Sequence, residues 1–201
     1  MKPLKTVRSL AVPLIVDNID TDIIIPSREM KSVSKTGLSD GLFAGWRYTA
    51  VGSREINPDF VLNDAKYADA EILLSGDNMG CGSSREHAAW ALAEYGFRVV
   101  IARSFNPIFR GNCIRNGILP VKLSPEPIAK AEGPITVNLE AMTITAEAGD
   151  SWSFELETEA REMLLEGLDP IDLTLKRAAD IAAFREADRA RRPWIYNLKA
   201  G

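Results

Sequence analysis

Ala70-Glu71-Ile72-Leu73-Leu74-Ser75, then Gly76-Asp77-Asn78-Met79-Gly80-Cys81-Gly82-Ser83-Ser84-Arg85-Glu86-His87, and past Gly96 the run Arg98-Val99-Val100-Ile101-Ala102: this stretch decides the fold. The two outer pieces are short, unbroken apolar runs, as expected of strands covered on both faces. Between them, helical spacing from Ser83 to Tyr95 puts Ala88, Leu92 and Tyr95 on one face, and Gly96 supplies a C-terminal stop. Strand, glycine loop, helix, strand is a βαβ unit, so part of the sheet is expected to be parallel.

Downstream, a second helical stretch over Ser104–Asn116 leads through Gly117 to a strand at Leu119–Leu123. Past Pro125 and Pro127, Ile135–Leu139, Met142–Ala146 and Ser151–Leu156 read as strands with a turn at Gly149-Asp150. The tail reads as two helices, Thr158–Glu166 closed by Gly167 and a charged segment from about Leu173 to Arg191 with a solvated face. Upstream, Leu10–Val16 reads as the first strand, followed by Ile23-Ile24-Ile25 stopped by Pro26. Residues 27–60, with Gly37, Gly41, Gly45, Gly52 and Pro58, read as a long loop anchored by Leu42, Phe43 and Trp46; such loops are often lids or binding loops. The expectation is one α/β domain over residues 1–201, with a helical C-terminal extension from about 158.

Composition narrows the function classes. The 201 residues are 46% hydrophobic and 26% charged, the balance of a globular chain. Twenty-four Lys+Arg against 28 Asp+Glu give a net charge of −4 with no basic stripe, which argues against a nucleic-acid partner. Two cysteines and one histidine cannot furnish a self-contained zinc or iron–sulfur site, so no metal is expected on this chain. No run approaches the ~20 apolar residues of a membrane span. Lys2, Lys5 and Arg8 precede a short apolar run broken by Pro13, which reads as a strand rather than a leader peptide. A cytoplasmic location, with Cys81 and Cys113 as thiols, is the expectation.

The glycine loop is the richest chemical feature. Its glycines let the backbone turn tightly and approach a ligand. The helix expected to follow presents free N–H groups and a positive dipole end, and Arg85 adds a fork of donors suited to a carboxylate or phosphate. Ser83 and Glu86 have the spacing of a capping box, which would start the helix at Ser83. From the residues alone, an anion-binding loop and a well-capped βα turn both fit. Walker A and Gly-x-Gly-x-x-Gly patterns are absent, and Ser84 lacks the flanking glycine of a nucleophile elbow, which makes the lone His87 a weak candidate triad base. Asp20 and Asp22 are followed by Ile24, with no glycine or glutamate where a calcium loop needs them, and Asp17 and Asp20 read as turn residues.

The run Gly80-Cys81-Gly82-Ser83-Ser84-Arg85-Glu86-His87-Ala88 resembles the signature of the aconitase superfamily's swivelling domain, and Asp20-Thr21-Asp22-Ile23-Ile24-Ile25-Pro26 resembles its N-terminal motif. Ser104-Phe105, Ile108, Asn112, Gly117 and Leu119-Pro120 fall at the superfamily's downstream spacing. Gly41-Leu42-Phe43 with Trp46-Arg47, Asn57-Pro58-Asp59-Phe60-Val61-Leu62, and Gly167-Leu168-Asp169 with Leu173-Thr174-Leu175 are similar to its bacterial branch, the small-subunit family of 3-isopropylmalate dehydratases.

The resemblance implies a swivelling, three-layer β/β/α fold and a hydro-lyase of leucine biosynthesis, active only with a large subunit. That subunit would carry a [4Fe–4S] cluster acting as a Lewis acid on the substrate. It implies Ser83 as catalytic base, Ser84 and Arg85 as holders of a substrate carboxylate, and Asp22, Glu86 and His87 in supporting roles. His87 is expected to act as a hydrogen-bonding partner. The substrate-selecting loop would fall on Glu29-Met30-Lys31-Ser32, with Lys31 touching substrate and Met30 facing its isopropyl group; this segment departs from the commoner aromatic–Leu–basic pattern. A related hydro-lyase of citraconate/methylmalate or homoaconitate, and a non-catalytic anion-binding regulatory module, are the alternatives. Cys81 reads as a small buried thiol and Cys113 as core; Arg103, Arg110 and Arg115 read as solvated or interface residues.

Overall fold

The computed structural model describes residues 1–30 and 34–196. In chain order it runs β1 (Thr6–Ser9), β2 (Ala11–Pro13), α1 (Thr21–Ile24), α2 (Ala44–Arg47), β3 (Ile72–Ser75), α3 (His87–Tyr95), β4 (Val99–Ala102) and α4 (Pro107–Arg115). There follow β5 (Leu119–Lys122), α5 (Pro125–Ala129), β6 (Ile135–Asn138), β7 (Thr143–Ala146), β8 (Ser151–Ser153), α6 (Thr158–Glu166), α7 (Pro170–Leu175), α8 (Ala178–Arg191) and α9 (Pro193–Tyr196).

Two sheets form. One is parallel, in the order β2-β3-β4-β5; the other is antiparallel, in the order β1-β6-β7-β8. Side chains alternate across a strand, so the parallel sheet feeds two cores at once. Ile72 and Leu74 of β3 and Val99 and Ile101 of β4 face the antiparallel sheet, meeting Val7, Ile135, Val137 and Ile144. Leu73, Val100 and Ala102 face the opposite way, onto Ala88 and Leu92 of α3, Ile24 of α1, and Phe109 and Cys113 of α4. This is the expected β/β/α layering, with a parallel βαβ unit at its centre.

Several boundaries differ from the sequence reading. The expected first strand over Leu10–Val16 is two short strands in different sheets: β1 pairs with β6, and β2 with β3. The hinge lies at Ser9 and Leu10, where the Ser9 hydroxyl accepts from Glu71 N at 2.9 Å and donates to Leu10 O at 2.8 Å. The second helix begins at Pro107 rather than Ser104, because the Asn106 side chain accepts from Ile108 N at 3.0 Å and Pro107 occupies the first turn. The charged tail segment is split into α7 and α8, α7 being started by a capping box of Asp169 and Asp172. Finally, the described residues of 27–60 hold short helical turns as well as loop, with Leu42 and Phe43 fully buried and Phe43 stacked on Trp46 at 5.9 Å between ring centroids. In the tail, α6 inserts Ala160, Met163 and Leu164 into the core, whereas α7, α8 and α9 bury none of their described residues.

Candidate functional site

The glycine loop leaves the C-terminal end of β3 and is laced in place from both sides by backbone hydrogen bonds. On one side Gly80 N donates to Ile19 O at 2.7 Å and Thr21 N to Cys81 O at 2.8 Å. On the other, Met79 N donates to Ser104 O and Asn106 N to Met79 O, both at 3.0 Å. The loop thus continues the parallel sheet as two single-residue bridges, Asp20 to Cys81 and Met79 to Phe105.

Two glycines are required here, one for a reason other than ligand approach. Gly80 has φ +76°, and a Cβ on it would lie 2.0 Å from Cγ of Phe109, so the loop is pressed onto the ring of α4. At Gly82, φ is +91° and a Cβ would come within 3.3 Å of the Thr21 hydroxyl, so this glycine lets the chain pass close over Thr21.

The capping box at Ser83 is not formed. Helix α3 starts at His87, and its N-cap, Glu86, makes no side-chain cap bond. The reason is that both members have longer-range partners. Ser83 N donates to the buried Thr21 hydroxyl at 3.1 Å, and the Glu86 carboxylate accepts from Asn116 Nδ2 at 2.7 Å. The first helical N–H groups therefore lie four residues beyond Ser83, and the serine is freed from the capping role.

Ser83 and Ser84 are exposed and Arg85 half-buried. Oγ of Ser83 sits 3.2 Å from Oγ1 of Thr21. Arg85 engages the Asp22 carboxylate through both terminal nitrogens, Nη1 to Oδ1 and Nη2 to Oδ2, the latter at 3.4 Å. The fork uses only part of its donor set in this way, and the remaining N–H groups stay available to an incoming anion. Asp22 is free to do this because Asp20 takes the capping role of α1, accepting from Ile23 N at 2.7 Å.

The structure thus gathers Asp22, Ser83 and Arg85, with Ser84 beside them in sequence, and ties Glu86 to the neighbouring α4. The His87 ring packs on Trp90 at 4.6 Å between centroids. Met30 packs against the helical-side core. Lys31 and Ser32 lie outside the described residues. Cys81 is half-buried, and burial with the nearby Asp20 charge pushes its thiol up. Cys113 is fully buried, as expected of core.

The three arginines read as solvated or interfacial make intrachain ion pairs or hydrogen bonds, with Arg115 exposed and Arg103 and Arg110 half-buried. Arg103 bridges Asp17 at 2.8 Å and Glu126 at 3.0 Å, Arg110 holds Glu157 at 2.6 Å, and Arg115 reaches the Asn112 side chain. Asp17 also accepts from Asp77 N at 2.7 Å, so Arg103 braces the start of the glycine loop. Thr21 and Arg103 are the site residues that local sequence reasoning missed. Their partners lie 62 and 86 positions away, and no short-range spacing announces them. Among the described residues, no group of three or more His, Cys, Asp or Glu side chains could hold a metal ion, and the chain does not fit an iron–sulfur cluster.

Residues 1–126 match the family model described as the aconitase C-terminal domain. A Cupriavidus necator protein named 3-isopropylmalate dehydratase small subunit is 53% identical over 205 residues, covering 98% of this chain and 99% of the relative. A protein of the same name from Allorhizobium ampelinum is 48% identical, covering 96% of this chain and 100% of the relative. A crystal structure of a 3-isopropylmalate dehydratase from Methanocaldococcus jannaschii shares the fold, with a TM-score of 0.67 and 24% identity over 89% of this chain and 98% of that one. With 53% and 48% identity to such relatives along almost its whole length, the chain belongs to the 3-isopropylmalate dehydratase small-subunit family.

Proposed function

We propose that this chain is the small subunit of a 3-isopropylmalate dehydratase, interconverting 2-isopropylmalate and 3-isopropylmalate by dehydration and rehydration in partnership with a large subunit. The [4Fe–4S] cluster is assigned to that large subunit. The observation that carries the reading is the exposed Ser83, freed from helix capping, next to the Asp22–Arg85 pair.

In this reading Ser83 Oγ is the base that takes the proton α to a substrate carboxylate. Ser84 and the uncommitted donors of Arg85 hold that carboxylate, and Asp22 fixes the plane of the guanidinium. A serine is a poor base in water, and needs hydrogen bonds and nearby positive charge that favour its anion. Glu86 fastens the loop to α4 through Asn116, His87 supports it through Trp90, and Lys31 is assigned to substrate recognition. The chain acts as one unit over residues 1–201, in the cytoplasm.

Co-expression with the large subunit under anaerobic conditions, followed by an isopropylmalate assay, tests this. Turnover by the pair and none by this chain alone is expected, and Ser83→Ala should abolish turnover while leaving assembly intact. Preference for citraconate/methylmalate or homoaconitate would reassign the substrate. A cluster-loaded pair inert towards all three would make the chain a non-catalytic module.

A further inference from the structure

We propose that Thr21 is a positioning residue for Ser83: its hydroxyl donates to Ser83 Oγ and keeps that oxygen an acceptor, ready to take a proton. This rests on the reading of Ser83 as the base, but the geometry that supports it is independent of substrate. Thr21 is 1% exposed, so its hydroxyl proton requires a partner within the protein. Two polar contacts reach Oγ1: the Ser83 backbone N–H at 3.1 Å, which can only donate, and Ser83 Oγ at 3.2 Å. With the N–H occupying one lone pair of Oγ1, the arrangement that satisfies the buried hydroxyl is Thr21 O–H donating to Ser83 Oγ. The reverse direction would leave a buried O–H without an acceptor.

The charged groups of the loop and of the segment packed against it are already engaged. Asp20 caps α1, Asp22 and Arg85 pair with each other, and Glu86 accepts from Asn116. Among the described residues Thr21 is therefore the side chain that donates to Ser83 Oγ. A hydrogen bond to the charged form favours that form, so the contact strengthens when Ser83 gives up its proton. Gly82 completes the device: its φ of +91° and missing Cβ bring the loop within reach of a threonine anchored to Cys81 O through its own backbone N–H.

The test has a partner-free arm and a turnover arm. In the full-length chain, S83C replaces the hydroxyl by a titratable thiol, whose alkylation rate by iodoacetamide is followed against pH by peptide mass spectrometry. The thiol in S83C should titrate about one pH unit below that in S83C/T21V, with S83C/T21S matching S83C; one unit is the tenfold effect expected of a lost donor. T21A replaces T21V in the same comparison if the valine variant does not fold. Superimposable titrations in all these chains would overturn the inference. In the assembled enzyme, T21V should lose about 10- to 100-fold in kcat with KM little changed, and T21S should keep the wild-type kcat and pH profile. Equal losses in T21V and T21S would show that only packing matters and would also overturn it. If Ser83→Ala retains full turnover, the base assignment itself fails, while the thiol titration still decides whether Thr21 donates at this position.

Discussion

Adding a single methyl group at Gly80 tests whether the loop is set by its contact with α4. A Cβ there would lie 2.0 Å from Cγ, 2.2 Å from Cδ1 and 2.5 Å from Cβ of Phe109. Carbon atoms pack at about 3.5–4.0 Å, so ring and loop would have to part by about 1.5 Å. Phe109 is 2% exposed and wedged in the core, which leaves the loop as the element that moves. Gly80→Ala should destabilise the chain by about 2–5 kcal/mol, combining about 1–2 for a left-handed backbone with about 1–3 for overpacking. The readout is the shift in urea midpoint at constant m value. Because the moving loop carries Ser83, turnover in the assembled pair should fall about 100-fold, the scale of a 1 Å misplacement. Phe109→Ala alone should cost about 3–5 kcal/mol. The double variant should cost about 1–3 kcal/mol less than the sum of the singles and recover part of the turnover, because removing the ring makes room. Strict additivity, or a Gly80→Ala chain as stable and active as wild type, would refute the reasoning.

Three further outcomes are expected. Asp22→Asn removes the partner charge of Arg85; kcat/KM should fall about tenfold, and sulfate should become a stronger competitive inhibitor of the assembled enzyme, as steady-state kinetics would show. Burial pushes the Glu94 carboxyl up, but the N–H groups of Gly37, Leu38 and Ser39, at 2.6, 2.5 and 2.9 Å, outweigh it and hold the group below the ordinary glutamate range. Its stabilisation is therefore complete above the unfolded value of about 4.3 and lost as pH falls through the lower folded value, so Glu94→Gln should flatten that acid limb in unfolding curves taken across pH. Burial pushes the Cys113 thiol far above its ordinary value, so a thiol reagent at neutral pH should leave it unmodified until denaturant is added, with half-exposed Cys81 labelled first in peptide maps.

What was legible in the sequence was what local patterns control. The apolar runs around Leu73 and Val100, the stops at Gly96 and Gly167, and the turn at Gly149 all lie where spacing placed them. The layering came from the family resemblance, and the unbroken apolar runs are consistent with it, since strands covered on both faces need two cores. The errors came where a residue's partner is remote. Ser83 and Glu86 match a capping box locally, yet Thr21 and Asn116 claim their polar groups from 62 and 30 positions away. Leu10–Val16 looks continuous until Ser9 bonds across to Glu71. Arg103 has the sequence context of a surface arginine, and only the fold brings Asp17 and Glu126 to it.

The pairing of Arg85 with Asp22 changes what binding at this site consists of. The resting guanidinium is not a vacant receptor but one already holding a placeholder anion of its own chain. In the proposed reading an incoming carboxylate takes the donors that Asp22 leaves free and shares the guanidinium with a group of the same chemical kind. Such a site gains little from charge alone and responds chiefly to shape and to what else the ligand touches. Small inorganic anions, which offer charge without shape, have little with which to compete.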